Sequence, residues 1–357
     1  MALLRVVLDQ LSPGADPELA DVSRALLGGL VETAPQGCEI EAIVPAGAEE
    51  DIPGVVSVRR LPLARRELSA SWQLGVAPGV GGGMIHAATP LAPLVRHDRV
   101  NDRDQTVSTL WDLRAWDAPE SLPKRAVVAQ RALLRRAVRH ADAVVVPAHA
   151  MADRLGRIAA LGDRIRVIAG APDPGSALPA DAVARRAGLP ERYAIVTGAG
   201  EGLEQGFAAV RDAGDPEVHV VVLDVPDGGA DGVVDTASAL GLPAERVHVR
   251  GRLDGPDRAA VLAGAAVLVA TDPVAAWPWR LVEAMALGVP IVALAGGVHH
   301  DVLADGGAIV SGAELADAVG DALGDGGRRL SVLAADRARA FSWAGAAERV
   351  WALHADL

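Results

Sequence analysis

The chain has 357 residues, half of them apolar but only 3% aromatic, and its 34 Lys and Arg stand against 46 Asp and Glu for a formal net charge of −12. That length exceeds one ordinary hydrophobic core, so two domains are expected at roughly 150 residues each. The acidic balance opposes nonspecific binding to nucleic acid or anionic lipid, which both draw on an excess of Lys and Arg, and no nucleic-acid partner is expected.

Lys124 is the only lysine and Cys38 the only cysteine. An intrachain disulfide and a Cys-based zinc site are thereby excluded, and a reducing, cytoplasmic setting is expected. The N-terminal apolar run carries Arg5 and Asp9, is too short for a signal peptide, and reads as a first β-strand. No spanning segment is expected, since the longest apolar run, from Ala259 to Ala270, covers about 12 residues where a membrane helix takes roughly 20.

Short Val- and Ile-rich runs alternate with longer Ala/Leu/Arg segments of helical period, the pattern of parallel strands joined by helices. In the first half, strands are expected at 5–9, 40–44, 83–86, 106–111, 143–147 and 166–169, and helices at 17–33, 122–141 and 151–160. Gly170-Ala171-Pro172-Asp173-Pro174-Gly175 is too dense in Pro and Gly to continue either element and marks a domain boundary. Alternation then resumes, with strands at 193–197, 218–224, 246–249, 267–271 and 291–295 and helices at 203–213, 232–240, 257–265, 280–287 and 313–323. The expected fold is therefore α/β, with two doubly wound sheets in domains 1–172 and 173–338. Each sheet offers ligand space at the carboxyl ends of its strands, and the cleft between the domains is the natural site.

The stretch from Val267 to Ala295 is the most informative. It runs strand, loop with Trp277-Pro278-Trp279, helix with Arg280 and Glu283, then Gly288-Val289-Pro290 and another strand. Glu283, near a helix N-terminus, either stabilises the helix dipole or accepts the two hydroxyls of a ribose. Trp277 and Trp279 either stack on a sugar or base or cover the cleft. The turn Gly296-Gly297-Val298 can present backbone N–H groups to a phosphate, although such turns are common without ligands. For His299-His300-Asp301 a polar loop is expected rather than a metal site, because adjacent histidines on an extended segment face opposite ways.

Asp112 at a strand end is either a cleft residue or a turn cap, and His86 either faces the cleft or is a satisfied core histidine. The helix holding Lys124, Arg125, Arg131, Arg135, Arg136 and Arg139 suits peripheral contact with a membrane surface or an acidic lipid-linked acceptor, or is simply solvated on that face. Gly198-Ala199-Gly200-Glu201-Gly202-Leu203, with Asp224 at the next strand end, nearly matches a dinucleotide fingerprint and so raises an NAD(P)-dependent oxidoreductase as an alternative. Leu203 stands where that fingerprint needs a third small residue, and Lys124 is far in sequence from the only tyrosine, Tyr193.

Several segments together resemble the retaining GT-B glycosyltransferases of glycosyltransferase family 4 over nearly the whole chain. They are Ala141-Asp142-Ala143-Val144-Val145-Val146-Pro147, Arg164-Ile165-Arg166-Val167-Ile168-Ala169-Gly170, Val247-His248-Val249-Arg250-Gly251 and Phe341-Ser342-Trp343. The most specific is Glu283-Ala284-Met285-Ala286-Leu287-Gly288-Val289-Pro290. The resemblance implies two Rossmann-like domains facing across a cleft, the first for the acceptor and the second for the nucleotide sugar. It also implies a closing helix, 339–357, packed back towards the first domain.

On that resemblance Glu283 takes the ribose of the donor, and Gly14, Gly200, Gly296, Gly297 and Val298 line the donor. Arg280, Asp112 and His86 are the candidate catalytic residues. The chain departs from the family at Ala275, where a first glutamate is usual, at Trp277-Pro278-Trp279-Arg280, and at Glu204-Gln205-Gly206, where basic residues meet the diphosphate. Only Gly14 remains of the glycine-rich turn after the first strand, and Trp111-Asp112 replaces a His-Asp pair. Arg280 or Arg252 is left to supply the missing charge.

The implied activity is retaining transfer of a hexose from a nucleotide-diphosphate sugar to a saccharide, lipid-linked or other hydroxyl acceptor, with no metal or other cofactor. The losses equally suit a non-catalytic GT-B protein that binds a glycan or a partner glycosyltransferase.

Overall fold

The computed structural model describes residues 2–48, 51–98, 101 and 103–357. It divides into two compact units, one of Met1–Ala171, Val274–Trp277 and Phe341–Leu357, the other of Pro172–Pro273 and Pro278–Ala340.

The first unit begins with β1 (Ala2–Val7), α1 (Pro17–Glu32), β2 (Cys38–Val44), β3 (Ser57–Arg60), α2 (Arg65–Gln73) and β4 (Met84–Ala87). It continues with β5 (Gln105–Thr109), α3 (Arg114–Asp117), α4 (Lys124–His140), β6 (Ala143–Val146), α5 (His149–Ile158) and β7 (Ile165–Val167). The strands form one parallel sheet in the order β3-β2-β1-β4-β5-β6-β7. Val144, Val145 and Val146 are buried on both faces, as a parallel strand covered by helices on each side requires. Asp16 starts α1 by accepting from the Glu18 amide at 2.9 Å, with Pro17 in the first turn, where its missing N–H costs nothing.

Three of these elements, β3, α2 and the four-residue α3, were outside the sequence expectation. Strand β3 lies at the sheet edge and is largely polar, so it lacks an apolar run, and α2 buries only Leu68 and Trp72.

The second unit comprises α6 (Ala182–Arg185), β8 (Tyr193–Thr197), α7 (Glu201–Asp212), β9 (His219–Val222), α8 (Ala230–Ala239), β10 (Val247–Val249) and α9 (Gly255–Ala263). After these come β11 (Val267–Ala270), α10 (Trp279–Ala286), β12 (Ile291–Leu294), α11 (His299–Leu303), β13 (Ala308–Val310), α12 (Leu315–Leu323) and α13 (Gly326–Ala338). Its sheet is also parallel, in the order β10-β9-β8-β11-β12-β13, and chain direction across the sheet reverses between β8 and β11. Such a reversal opens a crevice at the carboxyl ends of the two strands.

The glycines before and within α7 serve packing. A Cβ on Gly202 would stand 2.5 Å from the Thr271 carbonyl oxygen, and one on Gly206 would strike Val196. The close helix approach that a dinucleotide fingerprint assigns to its third glycine, where Leu203 stands, is thus made here by Gly202 and Gly206. The segment from His299 is a correction: it is the helix α11, not a polar loop, with His299 buried and His300 exposed.

The last helix, α14 (Trp343–Asp356), belongs to the first unit and packs on α1. Gly29 permits that approach, since a Cβ there would lie 2.5 Å from the Trp343 carbonyl oxygen, and Trp351 Nε1 donates to Leu30 O at 3.2 Å. Beneath the helix His354 Nδ1 lies 3.0 Å from Gln105 Oε1, and its ring meets His86 edge-on at 5.5 Å. No helix among the described residues is long and apolar enough to cross a membrane.

Burial holds both imidazoles neutral, pushing His86 well below the usual histidine range and His354 down to about 4. The unfolded chain binds protons at both rings below pH 6.5 while the folded chain does not, so the contribution is complete above 6.5 and declines as the pH falls towards 4. His97, held above the usual range chiefly by its hydrogen bond to Asp142, and Asp9, raised by burial, act in the opposite sense, each favouring the folded state more as the pH falls. Urea unfolding followed by tryptophan fluorescence should show stability falling by up to about 3 kcal/mol per buried ring between pH 6.5 and 4. His354→Gln should flatten that slope; an unchanged slope in the variant contradicts the assignment.

Candidate functional site

The carboxyl ends of the second sheet gather the polar and glycine-rich segments of that unit. Strand β8 leads into Gly198-Ala199-Gly200, and Gly200, at φ 53°, is the residue from which α7 starts. Strand β9 leads to Asp224, β11 to Thr271-Asp272, and β12 to Gly296 and Gly297, at φ 147° and 51°. A side chain at Gly297 or Gly200 would be strained in that left-handed backbone.

Beside these turns, the first turns of α9 and α10 carry a buried ion-pair network. Glu283 is fully buried at 0% exposure, and Arg258 is 2% exposed. Arg258 Nε donates to Glu283 Oε2 at 3.0 Å and Oε1 at 3.2 Å, and its Nη2 reaches Asp173 Oδ2 at 2.8 Å. Its Nη1 donates to the Leu253 carbonyl at 3.1 Å. Arg280 Nη1 donates to Glu283 Oε2 at 2.8 Å, while its Nε donates to Asp224 Oδ2 at 2.7 Å. A buried carboxylate costs several kcal/mol unless paired, and two guanidinium groups meet that cost here.

Helix geometry explains the pairing of Arg280 with Glu283, which are three residues apart and therefore neighbours on one helix face. Asp254 fixes α9 by capping the Asp257 amide at 2.9 Å, which sets Arg258 in the first turn.

Both carboxylate oxygens of Glu283 thus accept from guanidinium groups, and the side chain is sealed from solvent. Arg280 is held by two carboxylates rather than extended as an unpaired cation. The first turn of α7 offers no positive charge, carrying Glu201 and Glu204, with Glu204 and Gln205 exposed.

The structure places the other expected residues as follows. Asp112 caps a turn: Oδ1 accepts from the Arg114 amide at 3.0 Å and Oδ2 from Arg114 Nη2 at 3.1 Å. His86 lies in the core, at 0% exposure under α14. Gly14, at φ 72°, sits in the turn after β1 with nothing against its Cβ position. Val298 is buried at the start of α11.

Ala275, where the resemblance leads one to look for a glutamate, is buried, and its carbonyl accepts from the Leu113 amide at 2.9 Å. Asp112 and Ala276 form an antiparallel bridge, and the Trp277 amide donates to Trp111 O at 2.8 Å. Trp277 packs edge-on against Phe341 at 5.6 Å, so it is core rather than a stacking platform; Trp279 is half-buried. On α4, Arg131 and Arg136 donate to the carbonyls of Ala115 and Leu94, leaving Lys124, Arg125, Arg135 and Arg139 exposed.

Two polar groups escaped the sequence reading. Asp9 is buried at the end of β1, where Oδ1 accepts from Thr89 Oγ1 at 2.5 Å and Oδ2 from Arg65 Nε at 2.9 Å. Burial raises its pKa, against the opposing charge of Arg65. A charged residue closing a Val-rich strand was the available signal. Arg258 and its partner Asp173 are the other case: an arginine in an apolar helix, and an aspartate inside the Pro/Gly boundary.

Residues 201–325 match the family model of glycosyl transferases group 1. No curated protein matches the chain in sequence. Among solved structures it is similar to sucrose-phosphate synthase from Thermosynechococcus elongatus, with a TM-score of 0.68, 20% identity, and coverage of 100% of this chain and 99% of that one. Anabaena Alr3699/HepE in complex with UDP and glucose gives a TM-score of 0.67 at 16% identity, with 100% of both chains covered. WaaG, a glycosyltransferase involved in lipopolysaccharide biosynthesis, gives 0.61 at 14% identity over 97% of this chain and 98% of that one. The fold is GT-B. The matched segment lies in the second unit apart from Val274–Trp277, and it includes Asp224, Arg258, Arg280 and Glu283.

Removing the anion that joins two guanidinium groups leaves both uncompensated, so Glu283→Ala should lose about 3–5 kcal/mol of unfolding free energy, with Glu283→Gln intermediate. Chemical denaturation measures this, and a Glu283→Ala protein as stable as wild type contradicts the network.

Proposed function

We propose that the protein is a glycosyltransferase that moves a hexose from a nucleoside-diphosphate sugar to a hydroxyl acceptor with retention of configuration. The observation that carries this reading is that the matched glycosyltransferase domain coincides with the strand-end turns and the Arg258–Glu283–Arg280 network. That Alr3699/HepE is also known in complex with UDP-glucose supports a nucleotide sugar as the donor class.

In the proposed reaction the bond from the anomeric carbon to the diphosphate breaks, and the acceptor oxygen bonds to that carbon on the same face. The acceptor proton passes to the departing phosphate oxygen, so no carboxylate base is required. The protein's task is orientation and stabilisation of the leaving charge. Arg280 is the residue assigned to that charge. As it turns to the diphosphate it uncovers Glu283 Oε2 for the ribose hydroxyls, while Arg258 keeps the carboxylate ionised and in place. Backbone amides at Gly200 and at the turn Gly296-Gly297-Val298 add donors for phosphate oxygens.

Isothermal titration with uridine, guanosine and adenosine diphosphosugars should reveal one donor binding at or below millimolar concentration; binding of none of them ends this reading for those donors. For the donor that binds, Arg280→Gln should weaken affinity about ten- to a hundredfold, the worth of one charge-assisted hydrogen bond.

A further inference from the structure

Asp224 follows β9 in a left-handed conformation, φ 60°, one of three non-glycine residues with positive φ among the described residues. The backbone reverses there, and the carboxylate reaches across to the first turn of α10, 2.7 Å from Arg280 Nε. Within the network this pair differs in its environment. The Asp224 side chain is 37% exposed, whereas Arg258 and Glu283 are 2% and 0% exposed.

A guanidinium edge that binds a carboxylate cannot at the same time bind a phosphate, because both anions use the same N–H donors. Arg280 is 10% exposed, but water reaches the Asp224 side of the pair and lowers the cost of opening it, while the Arg258–Glu283 pair is sealed. Arg280 is therefore the cation that can change partners, and Asp224 is the partner it leaves.

We propose that Asp224 is an internal competitor for the donor's diphosphate, holding Arg280 in a closed pose that the donor must displace and that re-forms as the nucleoside diphosphate product departs. The proposal rests on the nucleotide-sugar reading above. It makes Asp224 a positioning residue that acts through Arg280. The competition weakens donor binding and equally weakens retention of the product, so the pair sets turnover against product inhibition.

The test uses UDP and inorganic pyrophosphate as probes, titrated calorimetrically into the full chain as wild type, Asp224→Asn, Arg280→Gln and the double variant. Asparagine tolerates the left-handed backbone, so Asp224→Asn removes the charge without forcing the turn. Arg280→Gln leaves Glu283 held by Arg258; should it fail to fold, the uncharged Arg280→Met replaces it in the cycle. The expected result is that Asp224→Asn tightens UDP binding about fivefold or more in the Arg280 background, the scale of a partly exposed ion pair, and has no effect once Arg280 is replaced. Equal tightening in both backgrounds reduces Asp224 to a general negative field and overturns the competitor role while the glycosyltransferase reading stands. Absence of binding by either probe in every variant, with Asp224→Asn among them, overturns both.

Discussion

A carboxylate taken wholly out of water must find positive charge, and in the second unit that requirement falls on Glu283. Arg258 answers it from α9 and Arg280 from one turn earlier on its own helix. Arg258 also joins Leu253 O and Asp173, so one guanidinium ties together the segment after β10, the start of the second unit and the glutamate helix. The cost of separating these charges gives the strand-end region a defined geometry, in which Asp224 is the most exposed member.

The same region shows how a familiar frame is put to altered use. The glycines preceding and within α7 bring that helix against β8 and β11, and the exposed acids of its first turn leave no cation for a diphosphate there. Positive charge enters instead from α10. The strand-to-helix segment Val274–Trp277, in turn, adds its backbone to Trp111–Leu113 and its indole to the core of the first unit.

Most of the fold was legible because parallel strands covered on both faces read as short runs of Val, Ile and Ala, as at β6, β8 and β11. Among the elements missed, β3 is a polar edge, α2 buries two side chains and β13 is a three-residue strand, while α13 is a 13-residue helix that the reading passed over despite Leu330 and Ala334 on its buried face. The site was less readable. The helix with Glu283 was found from its order of elements, but sequence order does not say that the carboxylate is sealed by an arginine from another helix. Asp9, Thr89 and Arg65 converge from three distant segments, which no local pattern reveals. Asp112 and His86 were each left between a ligand-facing and a structural role, and only packing distinguishes a cap or a core ring from a reactive group.

The first unit is completed by α14, whose Trp351 settles on α1 and whose His354 rests beneath the helix, and it also takes Val274–Trp277 from between segments of the second unit. On the ribosome the first sheet can assemble early, but α1 keeps a bare apolar flank until α14 has emerged. A nascent chain stalled near residue 300 would present that flank to chaperones, and severing the polypeptide at Pro172 would yield an incomplete amino-terminal fragment rather than a free-standing module.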